Sequence, residues 1–288
     1  MYNRMLVTLD GSELSEAVLP YAVKLAGMLV KKTVLLHVHH PKDAESSPLH
    51  QTYIESKVEE IAERASAEHK GKTPKVQAEM ASGHPATEIL RYAEENKMDL
   101  ILMATHGHSG IGRWVMGSVT SKVLQASKTP VWLVRAGLPE GSEQEMWPKG
   151  TTLVPLDGST LAEAALCHVE ALAKQLGAKA PPVVLFGACE PKIESGYYIP
   201  DPIMKPEGMK KYLTEISKRL EGAGISVKIE IRAGKAAERI IDYANKKPFN
   251  LIVMSTHGRS GLGRWVFGSV ADKVIHETNR PTLLIRPR

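Results

Sequence analysis

The chain has 288 residues, of which 43% are hydrophobic, 24% charged and 5% aromatic, and it carries a formal net charge of +5. That length and balance suit two soluble globular domains, each able to bury its own core. No Lys/Arg run exceeds two residues and aromatics are scarce, which excludes a nucleic-acid platform, and no apolar stretch approaches the ~20 residues of a membrane span.

In chain order, Met5 to Leu9 is a short apolar strand closed by Asp10-Gly11-Ser12. Leu14 to Met28 carries apolar residues at helical spacing, with Ser12 as its N-cap. Thr33 to Val38 reads as a second buried strand, and a charged helix runs from about Gln51 to His69 after a loop over Pro41 to Pro48. A third strand (Val76 to Ala81), a helix (Pro85 to Asn96) and a fourth strand (Leu100 to Ala104) follow. After a glycine-rich loop come a helix from about Ser118 to Ala126 and a fifth strand, Val131 to Val134.

The second half repeats this order, with strands at Thr152 to Leu156, Pro182 to Phe186, Val227 to Ile231, Leu251 to Met254 and Thr282 to Ile285. Between the halves, Leu138 to Gly150 has two prolines, two glycines, three glutamates and no periodicity, and reads as a linker. The expected domains are therefore 1–137 and 151–288, joined by 138–150. Short apolar strands alternating with helices predict an α/β fold: two tandem doubly wound domains, each a five-stranded parallel sheet of order 3-2-1-4-5 with helices on both faces. Ligands in such sheets sit where the order reverses, beyond the carboxyl ends of strands 1 and 4. Asp10 and Asp157 end the two first strands there, opposite the glycine loops.

The two loops are the strongest signal in the chain. Thr105 to Val119 and Thr256 to Val270 agree at twelve of fifteen positions, 151 residues apart. Glycine lets backbone amides approach a ligand without a Cβ in the way, and the start of the following helix supplies unpaired N–H groups and partial positive charge. This predicts a phosphate cradle. Asp10 and Asp157 either accept hydrogen bonds from a ribose or base, or cap the following helices. Other motifs fail: Gly71-Lys72-Thr73 lacks the leading glycine of a P-loop, and Gly107-His108-Ser109-Gly110 is out of register for a hydrolase elbow.

Together these residues resemble the ATP-binding branch of the universal stress protein family, as a tandem of two such domains over nearly the whole chain. The family pattern is G-x-x-G, nine residues, then G-[ST], with an Asp at the end of strand 1. Here it reads Ala104-Thr105-His106-Gly107 and then Gly117-Ser118, and Ser255-Thr256-His257-Gly258 and then Gly268-Ser269. Both copies carry a small residue in place of the first glycine. The resemblance implies nucleotide contacts from Asp10, Val38, Ala104, His106, Gly107, Gly110, Gly117, Ser118 and Val119. In the second copy it implies Asp157, Gly187, Ser255, His257, Gly258, Gly261, Gly268, Ser269 and Val270, with adenine near Val38 and Gly187.

It implies ATP or a related adenine nucleotide as a regulatory ligand, with Mg held through the phosphates and little or no turnover. The alternatives are a slow ATPase or autophosphorylating protein using Ser118, Ser269 or Thr120, and an interaction module of the same family that binds no nucleotide. It also implies self-association through the apolar fifth strands, as a homodimer or as an intramolecular pseudo-dimer.

Several residues keep two readings. His106 and His257 either stiffen the loops or act as bases, and Arg113 and Arg264 either reach phosphate or cover the rings of Trp114 and Trp265, which plug the loops. His37, His39 and His40 lack the Cys or acidic partner that would complete a metal site. Tyr197 to Pro202 has no counterpart in the first half and reads as a lid, a subunit contact or a solvated loop. His108 against Arg259, and different residues at the ends of the second strands, predict unequal affinity in the two halves. Two cysteines without a CxxC pattern, no signal peptide and no membrane span predict a cytoplasmic protein.

Overall fold

A computed structural model describes residues 2–41, 47–69, 74–105, 116–137, 146–190, 192–194, 197–199, 205–246, 249–257 and 268–287. The chain divides into two compact units, Met1–Glu143 and Gln144–Arg288. The first contains β1 (Arg4–Leu9), α1 (Glu13–Glu16), α2 (Leu19–Leu25), β2 (Lys32–His39), α3 (Ser47–Glu68), β3 (Lys75–Ser82), α4 (Pro85–Glu95), β4 (Leu100–Ala104), α5 (Ser118–Ala126) and β5 (Val131–Val134). The second contains β6 (Thr151–Leu156), α6 (Thr160–Leu176), β7 (Val183–Cys189), β8 (Lys192–Glu194), β9 (Tyr197–Ile199), α7 (Pro206–Gly222), β10 (Val227–Ala233), α8 (Ala236–Lys246), β11 (Phe249–Ser255), α9 (Ser269–Glu277) and β12 (Thr282–Ile285).

Within each unit the sheet is parallel and follows the order 3-2-1-4-5: β3-β2-β1-β4-β5 in the first and β10-β7-β6-β11-β12 in the second. The central strands are apolar on both faces because helices cover both: Met5, Leu6, Val7, Leu100, Ile101 and Leu102 are fully buried in the first unit. Leu153, Val154, Leu251, Ile252 and Val253 take the same places in the second. β3 and β10, at one end of each order, carry charged or polar residues alternating with apolar ones and are only half-buried.

One expected helix is two. The spacing over Leu14 to Met28 reads as continuous, yet the chain forms α1 and α2, with Pro20 near the start of α2. A proline inside one helix would remove a backbone hydrogen bond and clash with the preceding turn, so the helix restarts there. The second unit has Cys167 in the corresponding place, and α6 runs unbroken for 17 residues. Within Tyr197 to Pro202, which reads as a lid, a subunit contact or a solvated loop, Tyr197–Ile199 forms β9 and pairs antiparallel with β8; Pro200 to Pro202 lie outside the described residues. Within the stretch expected as a linker, Trp147 is buried and its Nε1–H donates to Thr152 Oγ1 at 3.1 Å.

The turn that leaves strand 1 is built identically in both units. Asp10 Oδ1 accepts from the Ser12 N–H (3.0 Å) and its hydroxyl (2.6 Å), and Asp157 Oδ1 accepts from Ser159 at the same two distances. The glycine between them is left-handed, φ 84° at Gly11 and 81° at Gly158, where a Cβ would be strained. Each serine then caps the next helix, accepting from the N–H of Ser15 or Ala162 at 3.1 Å. Replacing Ser159 by Ala removes the cap and the hydroxyl bond to Asp157, and leaves the backbone N–H bond in place. A loss of about 1 kcal/mol in unfolding free energy is expected in denaturant titration. An unchanged midpoint would show that water replaces the serine at no cost.

Candidate functional site

The geometry of the second unit concentrates on the crevice between the carboxyl ends of β6 and β11. A cavity of about 250 Å³ lies there. Phe186 and Ala188 of β7, Ile240 of α8, Met254 of β11 and Pro155 of β6 form its apolar walls. Asp157, Ser255, Thr256, His257 and Ser269 bring the polar groups. Pro155 helps to open it. The β1–β4 register runs to Val7 opposite Leu102, whereas the β6–β11 register ends one residue earlier, at Leu153 opposite Ile252. Pro155 has no N–H with which to extend that ladder, so the strands part above it.

The loop is pinned at both ends. Gly268 N–H donates to the Thr256 carbonyl at 2.9 Å, and Thr256 N–H donates to Ile285 of β12 at 2.8 Å. The first unit repeats this with Gly117 to Thr105 (2.9 Å) and Thr105 to Val134 (2.9 Å). Each closure sets the first turn of α5 or α9 directly after the end of strand 4. Gly117 and Gly268 are the N-cap residues and provide no side-chain cap, so no side chain of theirs competes for the first N–H groups of the helix. An anion is the natural partner for such a start.

Of the residues expected from sequence, Asp157, Ser255, His257, Gly268, Ser269 and Val270 all line this cavity. Asp10, Val38, Ala104, Gly117, Ser118 and Val119 occupy the matching strand ends and helix start of the first unit. His106, Gly107, Gly110, Gly258 and Gly261 lie outside the described residues, as do Arg113, Trp114, Arg264 and Trp265. Ser255 Oγ accepts from the His257 N–H at 3.3 Å, and Thr256 Oγ1 lies 3.0 Å from His257 Nδ1. Burial, then the nearby Arg286 cation, lowers the His257 pKa and keeps the ring neutral at pH 7.

Gly187 is a correction. Strand alternation sends Phe186 and Ala188 into the cavity and turns Gly187 to the opposite face, toward α7. A Cβ there would stand 2.5 Å from Met209 Cγ, so the position is glycine for packing. Registers explain the slip: Leu9 pairs with His37 and Leu156 with Gly187, so Val38 corresponds to Ala188. The apolar side chains from α6, α8 and β7 were invisible as site residues, because on the sequence they read only as core.

Beneath the strand-1 turn, the first unit fills the space differently. His37 is buried, with Nδ1 3.0 Å from the Leu9 carbonyl and Nε2 2.9 Å from His50 Nδ1. A carbonyl only accepts, so His37 carries its proton on Nδ1 and His50 donates from its own Nδ1. In the second unit Gly187 and Met209 occupy this place, a small and a long residue in exchange for two rings. Tyr53 and Tyr212 donate to Glu16 (2.9 Å) and Glu163 (3.0 Å), and burial followed by these carboxylates drives both phenols far above their ordinary pKa.

The family model described as "Universal stress protein family" matches residues 1–135 and again 150–286. The chain belongs to the universal stress protein family. Among its curated relatives, universal stress protein YxiE of Bacillus subtilis is 36% identical over 148 residues, covering 47% of this chain and all of that protein. A universal stress protein of Mycolicibacterium smegmatis is 25% identical over 297 residues, 99% of this chain and 97% of its own. Among solved structures, a universal stress protein from Archaeoglobus fulgidus superposes with a TM-score of 0.70 at 22% identity, covering 99% of both chains, which establishes the shared fold. This family member is thus a tandem of two α/β units. Among its described residues no helix is long and apolar enough to cross a membrane.

The His37–His50 pair gives the protein a pH dependence. Burial, then the His50 ring, holds His37 below its ordinary value of 6.5, outweighing the Leu9 carbonyl and Asp10, which favour the proton. A histidine with a depressed folded-state pKa contributes stability in full above its unfolded value, and loses it as pH falls through 6.5 toward the folded value. The thermal midpoint is expected to drop between about pH 7.5 and 5.5, and less so in the His37→Gly/His50→Met protein, which copies the second unit. Parallel midpoint curves would refute the assignment to this pair.

Proposed function

We propose that this universal stress protein binds ATP, or a related adenine nucleotide, as a regulatory ligand at the strand 1/strand 4 crevice. The observation that carries the reading is the composition of the second unit's cavity. Flat apolar walls at Phe186, Ile240 and Met254 meet Asp157 on one side and the uncapped start of α9, with Ser255 and Ser269, on the other. A purine needs the first, a ribose the second and a phosphate chain the third. In the first unit Asp10, Val38, Ala104, Gly117, Ser118 and Val119 supply the counterpart groups, and the family resemblance adds His106, Gly107, Gly110, Gly258 and Gly261, which lie outside the described residues, to the proposed contacts. A divalent ion such as Mg would be held by the phosphate oxygens themselves.

The ligand acts by shifting an equilibrium of conformation or assembly, with little or no turnover. The setting is the cytoplasm, where Cys167 and Cys189 remain thiols. The same reading carries a homodimer or an intramolecular pseudo-dimer built through the apolar fifth strands, and sedimentation equilibrium distinguishes a dimer from a single chain.

Mass spectrometry of small molecules released from protein purified without added nucleotide is expected to return an adenine nucleotide. Isothermal titration with Mg-ATP is expected to show binding, and Gly268→Asp to weaken it at least about tenfold. Aspartate is a good N-cap, so the variant folds while its carboxylate repels phosphate. A wild-type protein that binds no adenine nucleotide in either experiment would make it an interaction module instead.

A further inference from the structure

Two residues differ between the units beside the end of the fourth strand, and both differences act on His257. The strand ends in Ala104 in the first unit and in Ser255 in the second. The N–H groups of Thr105 and Thr256 donate to Val134 and Ile285, which aligns Ala136 with Pro287 two residues further on. The Ala136 N–H donates to Thr105 Oγ1 at 3.2 Å. Pro287 has no N–H to give, and the Thr256 hydroxyl instead lies 3.0 Å from His257 Nδ1. Ser255 Oγ accepts from the His257 N–H at 3.3 Å, a bond for which Ala104 has no acceptor.

His257 is thereby held through its backbone and one ring nitrogen in the lining of the cavity. The Thr256 carbonyl beside it accepts from Gly268, which brings the residue to the uncapped start of α9. Among the described residues its Nε2 has no hydrogen-bond partner. Burial, and then the Arg286 cation beyond the end of β12, keep the ring neutral. Asp157, on the strand-1 turn, is the charged residue of the cavity lining, and α9 presents the neutral Ser269. A neutral imidazole is cheap to bury, but an arriving anion favours its charged form.

We propose that His257 is a proton-linked contact for the phosphate chain: it takes up a proton from solvent as the nucleotide binds and donates from Nε2 to a phosphate oxygen. The inference rests on the nucleotide reading above and adds how that site is regulated, since binding then strengthens as pH falls through neutrality. A hydroxyl donates or accepts, so Thr256 keeps its contact with the ring in both forms. The imidazolium donates from Nδ1 to Thr256 Oγ1, which leaves the Nε2 proton for the ligand. The charge-assisted bond so formed is stronger than a neutral one, and the proton returns to solvent when the nucleotide leaves. Phosphate charge has to outweigh burial and Arg286, and Arg286 itself attracts the phosphates.

Isothermal titration of the full chain with Mg-ATP, in buffers of unequal ionisation enthalpy, reads the proton directly because Mg keeps the free phosphates deprotonated. Wild type at pH 7 is expected to take up about half a proton or more at this site. Its affinity is expected to rise roughly threefold or more from about pH 8 to about pH 6.5. His257→Gln keeps an N–H donor but takes no proton; folded by circular dichroism, it is expected to show less uptake and a flatter pH profile. In NMR the His257 ring signal, assigned by its loss in that variant, is expected to titrate about one pH unit or more higher with Mg-ATP bound. A ring midpoint that Mg-ATP leaves unmoved, or equal proton uptake by wild type and folded His257→Gln, would each overturn this inference and leave the nucleotide reading intact. No binding by wild type would overturn both.

Discussion

A single backbone hydrogen bond, repeated in each unit, holds the candidate site in place. Gly268 N–H to the Thr256 carbonyl, and Gly117 N–H to that of Thr105, join the end of the fourth strand to the start of the next helix across a long loop. Without it the helix start would be free to move away from the sheet, and its partial positive charge would not face the Asp–Gly–Ser turn that ends strand 1. With it, two local devices become one site: an anion-seeking helix terminus and a carboxylate held by serine. The strand order matters because it alone sets strands 1 and 4 side by side.

Duplication makes the chain its own control. Motifs that serve the site persist: the aspartate turn, the tyrosine–glutamate contact and the pinned loop each occur twice with nearly the same distances. Packing residues are free to change if they change together. His37 against His50 in one unit becomes Gly187 against Met209 in the other, where a small residue accompanies a long one. The exchange also removes the buried histidine from the second unit.

Around the cavity, variation is less compensated. The β6–β11 register ends at Leu153, whereas the β1–β4 register continues one residue further, to Val7. Such changes at strand ends do little to the core below, where Leu6 and Leu153 or Ile101 and Ile252 are interchangeable.

Sequence by itself determined the fold class, the strand order, the tandem and the twinned loop, since these depend on periodicity, on glycine and on capping residues whose effects are local. It also picked out the polar lining of the second unit's cavity, because Asp157, Ser255, His257, Gly268 and Ser269 sit in or beside recognisable motifs. Only the tertiary structure decided the apolar half. Phe186, Ile240 and Ala188 look like any core residue until strand register and helix packing show which face they take. A one-residue slip along β7 moves a side chain through the sheet, so Gly187 lies against α7 while Ala188 lines the cavity. Pro20 shows the same limit, for the spacing of α1 and α2 is helical throughout and only the proline ring forces the chain to restart.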